Sequence, residues 1–232
     1  VNMKHILIFV AFQFFILNLI AQNDTTDHRF ISKKNESIII NLLNNQWMQV
    51  KDPIKTMPVS LGIDIYAFKQ LLKKDRTFNI SLGIGISSQN VHNNSLPYDS
   101  LDVTYFKLIP GGYEYTKNKL TTSYIDIPLE INLVTKSDKR NRNFKLALGG
   151  RFGLLISNYI KYVGEDFRNQ SKHEVKFKEY RFDNINPYRY GIYIRANYGR
   201  IGLAANYSLS HVFKDNKGPD FVAFSYGISM SI

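Results

Sequence analysis

Between Glu36 and Ile232 the sequence keeps returning to one pattern, a bulky apolar residue at every second position. In Phe78–Ser88, Phe78, Ile80, Leu82, Ile84 and Ile86 share one parity, and Asn79, Ser81, Gly83, Gly85 and Ser87 the other. Period two is the signature of a strand, whose side chains point alternately to its two faces. Eight stretches read this way: Glu36–Trp47, Pro58–Phe68, Phe78–Ser88, Leu120–Val134, Asn143–Val163, Pro187–Gly199, Gly202–Phe213 and Phe221–Ile232. The first is the least regular, and no stretch reads convincingly as helix. The face opposite the apolar one is small or polar, and in several strands charged.

Alternation alone fits either a soluble β-sandwich with the apolar face inside or a membrane barrel with it outside. Three features favour the barrel. Most stretches offer ten or more alternating residues, where soluble strands average about five or six and membrane strands need ~9–11. The connections alternate in length. Segments 69–77, 135–142 and 200–201 are short, whereas 89–119 and 164–186 are long, as in barrels with short periplasmic turns and longer outer loops. Aromatics sit near the ends of apolar faces: Phe78, Phe144 and Tyr198 at the short-turn end, Tyr190, Phe213 and Phe224 at the other, where headgroup-level girdles belong. The predicted fold is all-β, an eight-stranded antiparallel up-and-down transmembrane β-barrel over residues 36–232, with a packed lumen. Residues 1–21, with Lys4 and His5 before an apolar run and Ala21 at the cut, read as a cleaved signal peptide. Residues 22–35 read as a flexible periplasmic lead-in.

An eight-stranded barrel is just wide enough for side chains to fill it. Asp64, Asp126, Glu130, Lys145, Arg151, Arg189 and Arg195 fall on inward parities, so a charge-paired interior is expected. Centring the turns on Arg200–Ile201 and Asp138–Lys139 predicts Tyr198 opposite Leu203, Arg195 opposite Asn206, and a lumenal pair Asp126–Arg151. Pro128 cannot donate a ladder hydrogen bond, so a bulge or irregular pairing is expected there.

Composition narrows the chemistry. The chain has no cysteine, hence no disulfide framework, thiolate nucleophile or cysteine metal site. The formal net charge is +11, but the basic residues sit in turns between apolar strands, which excludes a nucleic-acid interface and suits acidic lipid headgroups. His28, His92, His173 and His211 lack a nucleophile signature around Ser95, Ser171 or Ser210, and no metal-ligand spacing appears. No cofactor and no enzymatic activity are expected. The rival readings are a lipid-modifying barrel enzyme using a rim histidine and a secreted soluble sandwich that binds a partner. In the long connection 89–119, Tyr105, Phe106, Tyr113 and Tyr115 are candidate contacts for envelope partners or, with somewhat more weight, the rims of extended strands.

The segments YIDIPLEI (Tyr124–Ile131) and NPYRYGIYIRANYGRIGLAANYSLSHVFKDNKGPDFVAFSYGISMSI (Asn186–Ile232) resemble the PorT-like outer-membrane β-barrel family. The shared features are the aromatic–Ile–x–Ile–Pro–Leu strand, the N-P-x-R-Y-G hairpin start, the Y-S-L ending and the Gly-Pro loop before the last strand. The first strand departs from the family's glycine-rich opening. The resemblance implies an eight-stranded outer-membrane barrel without a catalytic motif, and through the name-giving member a link to type IX secretion. The expected role is structural or interactive: outer-membrane lipid around the barrel, envelope proteins on the long loops, and a place as accessory subunit of an envelope assembly.

Overall fold

The computed structural model describes residues 36–73, 77–140, 142–180 and 182–232; the expected signal segment and lead-in lie outside them. The described residues form strands β1 (Glu36–Met48), β2 (Leu61–Lys73), β3 (Phe78–His92), β4 (Ser95–Ser100), β5 (Val103–Leu108), β6 (Tyr115–Val134), β7 (Phe144–Glu165), β8 (Glu174–Tyr180), β9 (Tyr188–Tyr198), β10 (Ile201–His211) and β11 (Val222–Ser231). Eight of them close a ring in the order β6-β3-β2-β1-β11-β10-β9-β7, with β7 pairing back onto β6. All pairs are antiparallel, and β1–β11 runs from Ile39 opposite Ser231 to Met48 opposite Val222. The ring leaves no barrel edge unpaired, which satisfies backbone groups inside a membrane.

The sidedness excludes the soluble sandwich. Ile125, Ile127, Leu129, Ile131 and Leu133 of β6 are 40–48 % exposed, whereas Asp126 and Glu130 between them are 0 % and 1 % exposed. The same inversion holds on β9, where Tyr190, Ile192 and Ile194 face out and Arg189, Tyr193 and Arg195 face in. Tyr190, Phe144 and Tyr198 lie on the outer face as the girdle reading expects.

Both predicted hairpin registers are off by two residues, which preserves every face and changes every partner. In β9–β10, Tyr198 stands opposite Ile201 and Asn206 opposite Tyr193. The two-residue turn is Gly199–Arg200, because Gly199 takes the left-handed φ of 63° that the first loop position demands. In β6–β7, Asp126 stands opposite Gly153, and Arg151 opposite Pro128. At Pro128 the expected irregular pairing is present, without a bulge. Its ladder to β7 is continuous, and the β3 ladder skips from Leu82–Leu129 to Gly85–Asp126 without a change of register.

The long connections are strand, not coil. Segment 89–119 extends β3 and β6 and folds β4–β5 into a hairpin whose turn residues Leu101 and Asp102 both have positive φ. Segment 164–186 contains β8, which pairs with the last third of β7 after β7 has parted from β9. At this long-loop end a cluster including Trp47, Leu120, Ile160, Tyr162, Phe213 and Phe221 fills the barrel mouth. Phe213 therefore does not face lipid. The β10–β11 register shifts between Tyr207 and His211, and Phe213 turns inward to 1 % exposure.

Candidate functional site

The lumen is built in layers, and register explains how. Asp126 on β6, Gly153 on β7 and Arg189 on β9 stand side by side across three strands. Because Gly153 carries no side chain, the acid and the base meet over it. Arg189 Nη2 donates to Asp126 Oδ1 and Oδ2 at 2.7 and 2.6 Å, and to Ser87 Oγ at 2.5 Å. Glu130, Gly149 and Tyr193 repeat the arrangement two rows on. The Tyr193 hydroxyl donates to Glu130 Oε2 at 3.1 Å, and Arg195 Nη2 reaches both carboxylate oxygens at 3.0 and 2.9 Å. Lys145 approaches the same carboxylate at 3.9 Å from a partly exposed position.

The third acid, Asp64 on β2, takes its partner from the far wall. Arg151 Nη1 lies 3.4 Å from Asp64 Oδ2 and 3.3 Å from the Tyr66 hydroxyl, which itself donates to Asp126 at 2.9 Å. Asn206 Nδ2 completes Asp64 at 3.3 Å. All seven predicted lumenal charges thus point inward, but Asp126 is held by Arg189 and Arg151 by Asp64. The predicted Asp126–Arg151 pair is not formed. Buried charges persist when paired and hydrogen-bonded, and here three carboxylates are each matched by an arginine. Tyr66, Tyr193, Ser87 and Asn206 complete the layer. Their inward parity was readable; their partners were not, because each bond skips over or crosses the strands next to it.

Ile39 and Phe68 pack with Tyr66 as a small buried cluster among these ionic groups. Toward the long-loop end a cavity of about 10 Å³, room for a single water, lies between Arg189, Tyr124 and Trp47. Above it sits the aromatic plug. Trp47 stacks on Phe221 at 5.0 Å between ring centroids, and Phe106 meets Trp47 edge-on at 5.9 Å. The β4–β5 hairpin is tied down over the mouth by Thr104 N donating to Lys217 O at 2.9 Å and Asn184 Nδ2 donating to Thr104 Oγ1 at 3.1 Å.

The candidate loop contacts divide accordingly. Phe106 is part of the plug, and Tyr115 packs on Tyr162 at 6.2 Å. Tyr113 meets Phe167 and lies under Lys172 Nζ at 4.7 Å. Tyr105 is the exposed one, beside Tyr98 at 5.8 Å. Of the histidines, His28 lies outside the described residues. His211 approaches exposed Asp215 at 3.9 Å; the Ser171 hydroxyl accepts from the backbone of His173, not from its ring. No hydrogen bond joins an imidazole to a serine hydroxyl among the described residues, nor does any cluster of three or more acidic or histidine ligands occur among them.

The sequence of residues 41–214 matches the family model described as outer membrane protein beta-barrel domain. No curated protein matches the chain.

Proposed function

Because the chain belongs to the outer membrane protein beta-barrel domain family, we propose that it serves in that membrane as a non-enzymatic structural and interaction protein with a sealed lumen. The observation that carries this reading is the stack of ionic layer and aromatic plug. Three buried arginine–carboxylate pairs span the lumen, and Trp47, Phe106, Phe213 and Phe221 fill its mouth. Such a barrel offers solutes no aqueous path, so its working surfaces are its outer wall and long loops. The same reading takes residues 1–21 as a cleaved export signal and turns the long loops outward. The PorT-like resemblance of Tyr124–Ile131 and Asn186–Ile232 supports a finer role as an accessory subunit of a type IX secretion assembly.

The test is deletion of the chain with measurement of type IX cargo at the cell surface. Export should fall and return with the native chain; unchanged export removes the secretion role. In planar bilayers the purified barrel should give no conductance steps. The enzyme reading predicts that replacing His92, His173 and His211 together alters the lipid profile of the outer membrane, and an unaltered profile counts against it.

A further inference from the structure

The outer wall near the long-loop end carries a charge arrangement that the lumen does not explain. Lys119 on β6 stands directly opposite Lys161 on β7, and Lys161 directly opposite Lys178 on β8. One row further on, Lys117 and Lys176 flank Val163. Paired residues share a face, so all five side chains project from the same outer surface. Neighbouring strands lie ~4.8 Å apart, which crowds Lys119, Lys161 and Lys178 into a span of ~10 Å. Like charges directly opposite one another destabilise a sheet.

No described acid forms an ion pair within this cluster, although Glu174 shares its face one row beyond Lys176. Among the described residues none of the five lysines takes part in an ion pair. Lys119 Nζ donates to the neutral amide of Asn90 at 2.7 Å. Lys178 Nζ lies over the rings of Tyr159 and Tyr180, at 3.7 and 4.5 Å. Glu165, the nearest acid along β7, is held by Lys172 at 2.9 Å. Protection of a bare sheet edge explains lysines on β8, whose far side is unpaired. It does not explain Lys119 or Lys161, which lie on strands paired on both sides.

The height of the cluster on the wall names its partner. The row of Tyr159 and Tyr180 lies immediately below the lysine row, and tyrosines of this kind mark the membrane interface. Below them, Ile125, Leu154 and Ile156 are exposed apolar residues on the same wall. The lysines therefore stand just beyond the apolar belt, where lipid headgroups lie. We propose that Lys117, Lys119, Lys161, Lys176 and Lys178 form a docking surface for the phosphate groups of a membrane lipid headgroup. The bound phosphates neutralise a cluster that the described residues leave without an ion pair.

The test uses the full chain in detergent micelles and lipid A as the probe, supplied with its phosphates or dephosphorylated. Native mass spectrometry reads the bound fraction. The chain should retain phosphorylated lipid A at least ~10-fold better than the dephosphorylated form. The Lys119→Gln, Lys161→Gln, Lys178→Gln triple variant should lose that preference while its unboiled band still migrates apart from the boiled one. Removing the same charge elsewhere, with Lys51→Gln, Lys55→Gln and Lys107→Gln, should leave the preference intact. Equal retention of both lipids by the native chain overturns the proposal. So does equal loss in the two triple variants, which would reduce the effect to net charge, and so does full displacement by millimolar inorganic phosphate, which would make the ligand a free anion.

Discussion

Glu130 is bonded to Arg195 and Tyr193 and approached by Lys145. Removing it strands a buried guanidinium, whose Nε already lacks a protein partner. Breaking one side of a buried ion pair costs about 3–5 kcal/mol, so Glu130→Leu should lower the urea stability of the refolded barrel in micelles by that much. The double variant Glu130→Leu/Arg195→Met removes both charges and should recover most of the loss; a double variant no more stable than the single one would show that the pair is not coupled. Gly149 makes the same point through space. A Cβ there would come within 2.5 Å of the Tyr193 ring and 2.7 Å of the Leu129 carbonyl oxygen. Gly149→Ala should therefore destabilise by about 1–3 kcal/mol, the usual range for overpacking, in the same unfolding assay. At this scale the sequence tells which charges face the lumen, since parity alone places Asp64, Asp126, Glu130 and the arginines. It does not tell who pairs with whom. Arg189 reaches Asp126 over Gly153, and Arg151 crosses to Asp64 on the far wall, and both choices depend on register and barrel curvature that no single strand encodes.

Strand identity was legible for all eight wall strands, because a lipid-facing strand must be apolar at every second residue. Strand ends and registers were not. The sequence centres the β9–β10 turn one residue too late, because glycine flanks the arginine–isoleucine pair on both sides; only the backbone shows that Gly199, at φ 63°, is the loop residue. Gly199→Ala should cost about 1–2 kcal/mol, the penalty for a side chain in the left-handed region, measured as a lower urea midpoint, whereas Gly202→Ala would act through crowding against Asn197 and not through backbone strain. The β6–β7 turn carries a pH-dependent element. Asp138 accepts hydrogen bonds from the Tyr198 hydroxyl at 2.6 Å and from the backbone of Arg142 and Arg140 at 2.8 Å each. The tyrosine bond first, and then the backbone bonds, hold its carboxyl below the ordinary aspartate value. A folded pKa below the unfolded one means that the stabilisation is complete above the ordinary value, ~3.9, and is lost as pH falls through the depressed folded value. The native chain should thus be more stable than Asp138→Asn at pH 7, and the gap should close below about pH 4. A gap that stays constant down to pH 2 would mean that Asp138 is not the titrating group.

For the whole molecule, the question is what closes the mouth. The long connection 89–119 contributes a hairpin that folds over the barrel, and Phe106, a candidate contact or strand-rim residue in the sequence, reaches down onto Trp47. In the sequence the segment reads as a long connection; what cannot be seen there is that Trp47, Phe213 and Phe221, from three separate strand ends, form the surface that receives Phe106. The barrel wall does not need this contact, since its closure rests on the ladders from β1 to β11 and from β6 to β7. Wall and plug should therefore separate experimentally. Trp47 is the sole tryptophan and is 7 % exposed, so its fluorescence reports on the plug alone. Phe106→Ala should open the mouth to water, shifting Trp47 emission to longer wavelength and raising its quenching by acrylamide. The unboiled protein should still run apart from the boiled band on a gel, since the closed wall is untouched. Loss of that difference in migration would mean that the plug holds the wall together. An emission spectrum identical to that of the native chain would mean that the hairpin does not cover Trp47, and the sealed lumen would then rest on the ionic layer beneath it.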